Sequence, residues 1–349
     1  MRSIRTLAAI LSALVLLGGS PRALTSHAVQ VWFTPAPGSL DMLALFQHPE
    51  EWTVALSRVA VFKFYQAQLM STPVAEIGPN TYQALNAIDA FRTLTLRWRK
   101  SIAIEVGVVK PQYCTADSSG LAMAIRDSLN AVNNVRAGGG DVAYLAMDEP
   151  FFAGAAKACG GPDPSATVQR LTQYVEAMKQ SFPSVRVGLI EPYPYFGGAT
   201  IVGLLARMTA SGIGPAFFHL DIDISALKPG RDDLVHDLAL IASACATTRT
   251  PFGVIVWGVN GDSDALYADD ALHLARTLGA AFLAGDLWAD HVIFQSWAVS
   301  STGLLITPTN LPETTPDTHT GILNAAFGVW STQLAGHEQP AQGGSRRRP

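Results

Sequence analysis

The stretch that decides the fold reads Val142-Ala143-Tyr144-Leu145-Ala146-Met147-Asp148-Glu149-Pro150. Its apolar part is typical of a strand that is buried on both faces, as in a parallel sheet. Pro150 has no backbone N–H to donate, so we expect the strand to end before it. Two carboxylates therefore follow a buried strand directly, at the end of the strand where α/β folds place their chemistry.

Segments of this kind recur along the chain and alternate with amphipathic helical patterns. The predicted strands lie at 29–33, 59–64, 102–108, 142–147, 185–190, 216–222, 252–257 and 291–297. The predicted helices between and after them lie at 82–99, 121–135, 167–182, 201–210, 232–247, 264–278 and 321–330. Eight strand–helix units predict an α/β protein with a single (β/α)8 TIM barrel. The alternative, a doubly wound open sheet, would carry a Gly-rich phosphate turn after its first strand, and residues 34–38 do not form one.

Composition and the two chain ends set further bounds. The chain has 349 residues, of which 48% are hydrophobic and 15% are charged, and its formal net charge is -4. This balance excludes a disordered or nucleic-acid-binding protein. Arg2 and Arg5 precede an apolar run at 7–17, which predicts a signal peptide over 1–28 and export to the periplasm or the medium. An uncleaved membrane anchor is the alternative; otherwise we expect no membrane span, a barrel domain over 29–334 and a disordered tail over 335–349.

The chain has three cysteines. Cys114 and Cys159 both lie in polar segments that follow predicted strands. They would form a disulfide if those loops are neighbours in an oxidising compartment, and the alternative is two free thiols. Cys245 lies in an apolar helical segment and is predicted to be a buried free thiol.

Acids and aromatic residues gather at the carboxyl ends of the predicted strands. The candidate site residues are Tyr65, Asp148, Glu149, Glu191, Tyr193, Tyr195, His219, Asp221, Trp257, Asn260, Gln295 and Trp297. Carboxylates bind sugar hydroxyls and aromatic rings pack on sugar C–H faces, so the set indicates a carbohydrate partner. Hydrolysis of a glycosidic bond needs two carboxyl groups. Glu149 supplies one, and either Glu191 on the next strand or Asp221 two strands away supplies the other.

Two short motifs carry a resemblance to a known family. The segment Ala146-Met147-Asp148-Glu149-Pro150 resembles the strand-four Asn-Glu-Pro motif of barrel glycoside hydrolases (clan A-like), and Phe294-Gln295-Ser296-Trp297 resembles their strand-eight sugar platform. The resemblance implies that Glu149 is the acid/base, that Asp148 holds substrate, that Trp297 packs under the sugar and that no cofactor is needed. The chain departs from the family in having Asp148 for Asn and no glutamate at the end of strand seven. The resemblance therefore assigns no residue of this chain as the nucleophile.

The sequence predicts an exported glycoside hydrolase-like protein that cleaves a poly- or oligosaccharide. Two other functions stay open: a divalent-metal enzyme acting on a sugar, with ligands from Glu105, Glu149, Glu191, His219 and Asp221, and a non-catalytic carbohydrate-binding barrel. For three of these residues, a structural role is the alternative to a functional one. Glu191 would fix loop amides, His219 would be a core histidine, and Glu105 would be a buried acid tied to Lys63.

Overall fold

The computed structural model describes residues 29–115, 119–228, 233–303 and 306–335. The predicted signal peptide lies outside these residues, as does the predicted tail beyond Ala335. Within them, no helix has both the length and the apolar character that crossing a bilayer requires.

Eight parallel strands pair in chain order and close into a barrel, because β1 also pairs with β8. The predicted (β/α)8 barrel is confirmed, with strand boundaries displaced by a few residues at most. The strands are β1 Gln30–Thr34, β2 Val59–Tyr65, β3 Ser101–Val106, β4 Val142–Asp148, β5 Arg186–Tyr193, β6 Phe218–Ile222, β7 Phe252–Val256 and β8 His291–Gln295.

Helices surround the barrel. They are α1 Ala44–Gln47, α2 Thr53–Arg58, α3 Tyr82–Ala87, α4 Ala90–Arg92, α5 Ser119–Ala137, α6 Pro150–Gly154, α7 Pro164–Ser181, α8 Gly198–Ala210, α9 Leu234–Thr248, α10 Asp264–Gly285 and α11 His319–Ala335. Side-chain caps begin several of them: the Asp163 carboxylate accepts from Ser165 N–H at 2.9 Å, and Ser263 Oγ accepts from Leu266 N–H at 3.2 Å.

The predicted continuous helix over 82–99 is wrong. It is split into α3, α4 and a short π-helix, Thr93–Arg97. The break lies at Asp89, whose backbone is left-handed (φ 54°). Aspartate tolerates this conformation better than most residues do, so the periodic apolar pattern continues while the helix axis does not.

Alternate residues of each strand belong to two different apolar layers, one inside the barrel and one between the barrel and the helices. We call this alternation the parity of the strand. Trp32, Tyr144, Phe217 and Ile293 belong to the cluster that fills the barrel. The alternate residues pack outward against the helices in a much larger cluster. Because side chains alternate along a strand, any residue two positions from an interior residue also faces the barrel axis. This parity decides which candidate residues reach the mouth.

Candidate active site

Asp148 ends β4 and faces the mouth, two positions after interior Ala146. Its carboxylate forms an ion pair with Lys110 in the loop after β3, with Oδ2 and Nζ 2.5 Å apart. Both side chains are half-buried, and Asp148 raises the pKa of Lys110 against the effect of burial. This lysine therefore compensates the charge that distinguishes Asp148 from the asparagine of the resembled motif.

Glu149 follows β4 in a left-handed backbone conformation, with φ 46° and ψ 46°. Its N–H donates to the Ile190 carbonyl at 3.1 Å, which anchors the turn to β5. Partial burial, together with the charge of Asp148, raises the pKa of Glu149 to about 7, while Lys110 opposes the shift. A carboxyl group with this pKa is protonated often enough at neutral pH to act as a general acid.

Asp221 lies on β6 and faces the barrel axis, two positions after His219. It is buried, and its Oδ1 has no hydrogen-bond partner among the described residues. Burial and the charge of Glu149 raise its pKa well above the ordinary range. A buried acceptor without a hydrogen-bond partner lowers the stability of the fold unless a ligand or water donates to it. This oxygen is therefore available to accept a hydrogen bond from either.

Lys63, Glu105 and Gln295 form the floor of the mouth. Lys63 Nζ donates to the Glu105 carboxylate and to the Gln295 carbonyl oxygen, and Gln295 Nε2 donates to Glu105 Oε2 at 2.9 Å. All three side chains are buried. Glu105 therefore has the structural role that was the alternative to metal binding: it is a buried acid paired with Lys63. Gln295, predicted to bind substrate, is held in this floor.

The charges at the mouth do not balance. Lys63 neutralises Glu105, and Lys110 neutralises Asp148. Glu149 and Asp221 then have no cationic partner of their own among the described residues. Besides burial, the charge of Glu149 contributes to the raised pKa of Asp221, so ionisation of Glu149 makes ionisation of Asp221 less favourable. The mouth therefore holds two carboxyl groups with raised pKa values and no ion-pair partner among the described residues.

Aromatic side chains border this pair on the β7–β8 side. The rings of Trp257 and Trp297 have centroids 4.5 Å apart at an angle of 37°. Both are half-buried, and Trp257 Nε1 is buried without a hydrogen-bond partner in the described structure. Tyr65, also half-buried, donates to the Ser296 carbonyl at 2.7 Å and lies beside this pair of rings. The arrangement offers an apolar face with an unused donor.

The prediction of Glu191 as a catalytic partner is wrong. Glu191 follows interior Ile190, so its side chain points out of the barrel. It is fully buried, and its two oxygens accept from the N–H groups of Phe151 at 2.8 Å and Phe152 at 3.2 Å. Glu191 has a structural role instead. It caps the first N–H groups of α6 and so fixes the turn that carries Glu149.

Tyr193 is also not available to a sugar. It has the same outward parity as Glu191, is 1% exposed, and donates to Asp237 Oδ2 at 3.0 Å. The predicted stacking role is therefore wrong for Tyr193. Tyr195, two residues later in the loop, is 55% exposed at the rim and donates to Asp223 Oδ2 at 2.8 Å.

His219 faces the interior but lies below the mouth. One ring nitrogen is 2.9 Å from His291 Nδ1, and its ring packs edge-on against Trp32 with centroids 4.8 Å apart. It is fully buried, so the predicted contact with substrate is wrong and the alternative of a core histidine holds. Asn260 is exposed, and its Oδ1 accepts from Asp262 N–H at 3.0 Å in a local turn.

The four acids and one histidine of the metal alternative do not form one ligand set. Glu191 points to α6 and His219 packs in the barrel core, which leaves Glu105 held by Lys63 and only Glu149 and Asp221 open. Over the described ranges, one group of three or more such residues has ligand atoms within 4.8 Å of one another: His48, Glu50 and Glu51, all exposed. These three residues lie between α1 and α2 and include none of the candidate ligands.

A disulfide joins Cys114 to Cys159, with Cα atoms 4.6 Å apart. It links the loop after β3, which carries Lys110, to the segment after α6, which follows Glu149. The covalent link therefore holds together the two loops that set the surroundings of the acid. Cys245 is a buried free thiol in α9.

Two residues of the mouth were absent from the candidate set. Lys110 follows β3 by four residues. The excess of acids over cations at the strand ends indicates that a nearby lysine pairs with one of the acids. Phe152 follows Glu149 by three residues and is 42% exposed. The sequence indicates its exposure, because two phenylalanines follow Glu149-Pro150 directly and a helix this short cannot bury both rings.

Comparison with known proteins places the fold. No known protein-family model matches the chain, and no curated protein matches it in sequence. The GH53 catalytic domain of Ignisphaera aggregans superposes with a TM-score of 0.53 at 12% identity, covering 90% of this chain and 98% of that one. The shared feature is the (β/α)8 barrel. A glucosidase from Croceicoccus marinus has a TM-score of 0.49 at 16% identity and covers 88% of this chain, which spans 66% of that protein's length.

Proposed function

We propose that this protein is an exported glycoside hydrolase that cleaves a poly- or oligosaccharide with the carboxyl pair Glu149 and Asp221. The observation that carries the proposal is this pair: two carboxyl groups without an ion-pair partner among the described residues, at the mouth of the barrel, together with the half-buried rings of Trp257 and Trp297. The barrel fold, which a glycoside hydrolase catalytic domain shares, supports it.

In the proposed reaction Glu149 is the general acid. In the reactive protonation state Glu149 is protonated and Asp221 is ionised. Glu149 gives it to the glycosidic oxygen as the bond to the anomeric carbon breaks. Asp148, fixed by Lys110, lies next to this bond and accepts a hydrogen bond from a sugar hydroxyl.

Asp221 is the proposed base. β4 and β6 are separated by one strand, so their carboxyl groups lie roughly 9 Å apart by strand spacing alone, near the separation of inverting enzymes. That space admits a water molecule. Asp221 takes the proton of this water as its oxygen attacks the anomeric carbon, and the product has the inverted configuration.

Two substitutions test the pair. Glu149→Gln and Asp221→Asn are expected to lower kcat at least about 100-fold on any glycan that the wild type cleaves, because each removes one proton transfer. Glu176→Gln is the matched control, since Glu176 is an exposed carboxylate on α7, outside the barrel. Retained activity in Glu149→Gln would remove the assignment. Product configuration read by proton NMR immediately after cleavage separates inversion from retention.

A carbohydrate-binding barrel without catalysis is the second candidate. It is favoured by one observation: β7 ends at Val256 and is followed by Trp257, with no carboxylate where the resembled family has its nucleophile. Binding of glycans by the wild type with no turnover, and with the same affinity in Asp221→Asn, would support this candidate over the hydrolase.

A further inference from the structure

Three aromatic side chains cluster on the rim above β4 and β5, and we call them the rim cluster: Phe152, Tyr195 and Phe196. The centroid of Phe152 lies 5.3 Å from that of Tyr195 and 6.0 Å from that of Phe196. Phe152 is 42% exposed and Tyr195 is 55% exposed. Two large rings in contact with each other thus present a continuous apolar face to solvent.

This face is fixed although it is exposed. Glu191, buried beneath it, accepts from the backbone N–H of Phe152 at 3.2 Å. The Tyr195 hydroxyl donates to Asp223 Oδ2 at 2.8 Å, and the other oxygen of Asp223 accepts from Ser225 N–H at 3.0 Å. A buried cap and a tethered carboxylate therefore hold the two rings in place before any ligand arrives, which lowers the entropic cost of binding.

The rim cluster also lies beside the carboxyl pair. Phe152 is three residues from Glu149 in the same short helical turn. The hydrogen bond to Asp223 is the main cause of the raised pKa of Tyr195, and the charges of Glu149 and Asp221 raise it further. The Tyr195 phenol is therefore within electrostatic reach of both acids.

The two aromatic faces lie on different sides of the mouth. Trp257 and Trp297 follow β7 and β8, whereas the rim cluster lies above β4 and β5, three strands away round the closed eight-stranded barrel. An eight-stranded barrel with ordinary strand spacing is about 14 Å across between strand axes. The acids lie between the two faces, and one sugar ring is too small to touch both.

We propose that Phe152 and Tyr195 form a second sugar-binding subsite, and that the substrate is an oligosaccharide chain that spans the mouth from the rim cluster to Trp257 and Trp297. This inference rests on the proposed function and adds the length of the substrate to it. A sugar ring packs its C–H face on the two rings, while Asp223 and the Tyr195 hydroxyl meet its hydroxyl groups. The scissile bond then lies inside the chain, between the two aromatic faces.

The test uses the full chain with Glu149→Gln, so that bound glycans are not cleaved. Calorimetry measures the affinity for cello-, xylo-, manno- and galacto-oligosaccharides of two to six units. Adding Phe152→Ala and Tyr195→Ala is expected to weaken binding of the longest chains about tenfold per ring, with little change for disaccharides. Tyr195→Phe, which keeps the ring and loses the bond to Asp223, is expected to have a smaller effect.

Trp288→Ala is the matched control, because Trp288 is 41% exposed and follows α10 on the side of the barrel away from the mouth. It is expected to leave every affinity unchanged. An equal loss for short and long chains in the Phe152 and Tyr195 variants, or no loss, would overturn the subsite. Binding of no glycan would overturn the subsite and the proposed function together. Glycans that bind with the expected length dependence, but that the wild type does not cleave, would overturn the hydrolase alone.

Discussion

Replacing Glu191 by glutamine separates the structural carboxylate of the mouth from the catalytic one. Glu191 accepts two hydrogen bonds from the first N–H groups of α6, at 2.8 and 3.2 Å, in a fully buried position. Burial raises the pKa of Glu191, and the hydrogen bond from Phe151 opposes the shift. Its two oxygens accept one hydrogen bond each from these amides, and both hydrogen bonds favour the ionised carboxylate over the protonated acid.

Glutamine keeps the shape of the side chain but replaces one acceptor oxygen by an NH2 group. One buried amide of α6 then faces a donor and is left unpaired. Losing a buried hydrogen bond in this way costs about 2 kcal/mol in the free energy of unfolding. For a protein of this size, that corresponds to a fall in Tm of roughly 3 °C.

Urea unfolding and activity are measured together on Glu191→Gln and Glu149→Gln. We expect Glu191→Gln to be less stable and to lose only part of its activity, because the α6 turn moves but the acid remains. We expect Glu149→Gln to keep its stability near neutral pH and to lose activity. A Glu191→Gln variant with unchanged stability and no activity would show that Glu191 is catalytic and that the assignment by strand parity is mistaken.

Other perturbations follow from the same contacts. Activity is expected to fall as pH rises through about 7 in a pH–rate profile, because only protonated Glu149 donates; a falling limb that begins far above pH 7 would contradict this. The raised pKa of Glu149 also contributes stability that is complete below about 4.5 and is lost as pH rises through 7, so Glu149→Gln should flatten the urea midpoint over that range. Replacing Cys114 and Cys159 by serine opens a link between residues 45 apart and should lower the free energy of unfolding by about 4 kcal/mol, as urea titration would show. Burial lowers the pKa of His291 to about 4, so stability present above about 6.5 is lost as pH falls towards 4; urea midpoints that match at pH 7 and 4.5 in wild type would contradict this, and His291→Gln should reduce the loss.

The barrel was predictable because burial on both faces marks each parallel strand independently. Each strand segment contains a short apolar run, and the same alternation of an apolar run with a helical pattern recurs eight times. The split of the 82–99 helix was not predictable, because one left-handed residue, Asp89, interrupts the axis without changing the apolar spacing.

The site was predictable only in part, because residues next to a strand end can face either way. Parity within a strand is readable, but which parity faces the axis depends on packing of the whole barrel. Val187 and Ile190 are both apolar, and nothing in the sequence around them shows that Ile190 is the interior residue. The sequence pattern therefore predicts Glu191 and Tyr193 at the mouth, whereas in the structure both side chains point towards the helices.

The left-handed backbone at Glu149 has a consequence for evolution. A side chain at this φ costs about 1–2 kcal/mol that glycine would not incur, and asparagine would incur less of it. Under neutral drift, the position should therefore change to Gly or Asn. Homologues that keep glutamate here would have kept it for its carboxyl group, and homologues with Gly or Asn are expected to have given up proton transfer while keeping the barrel.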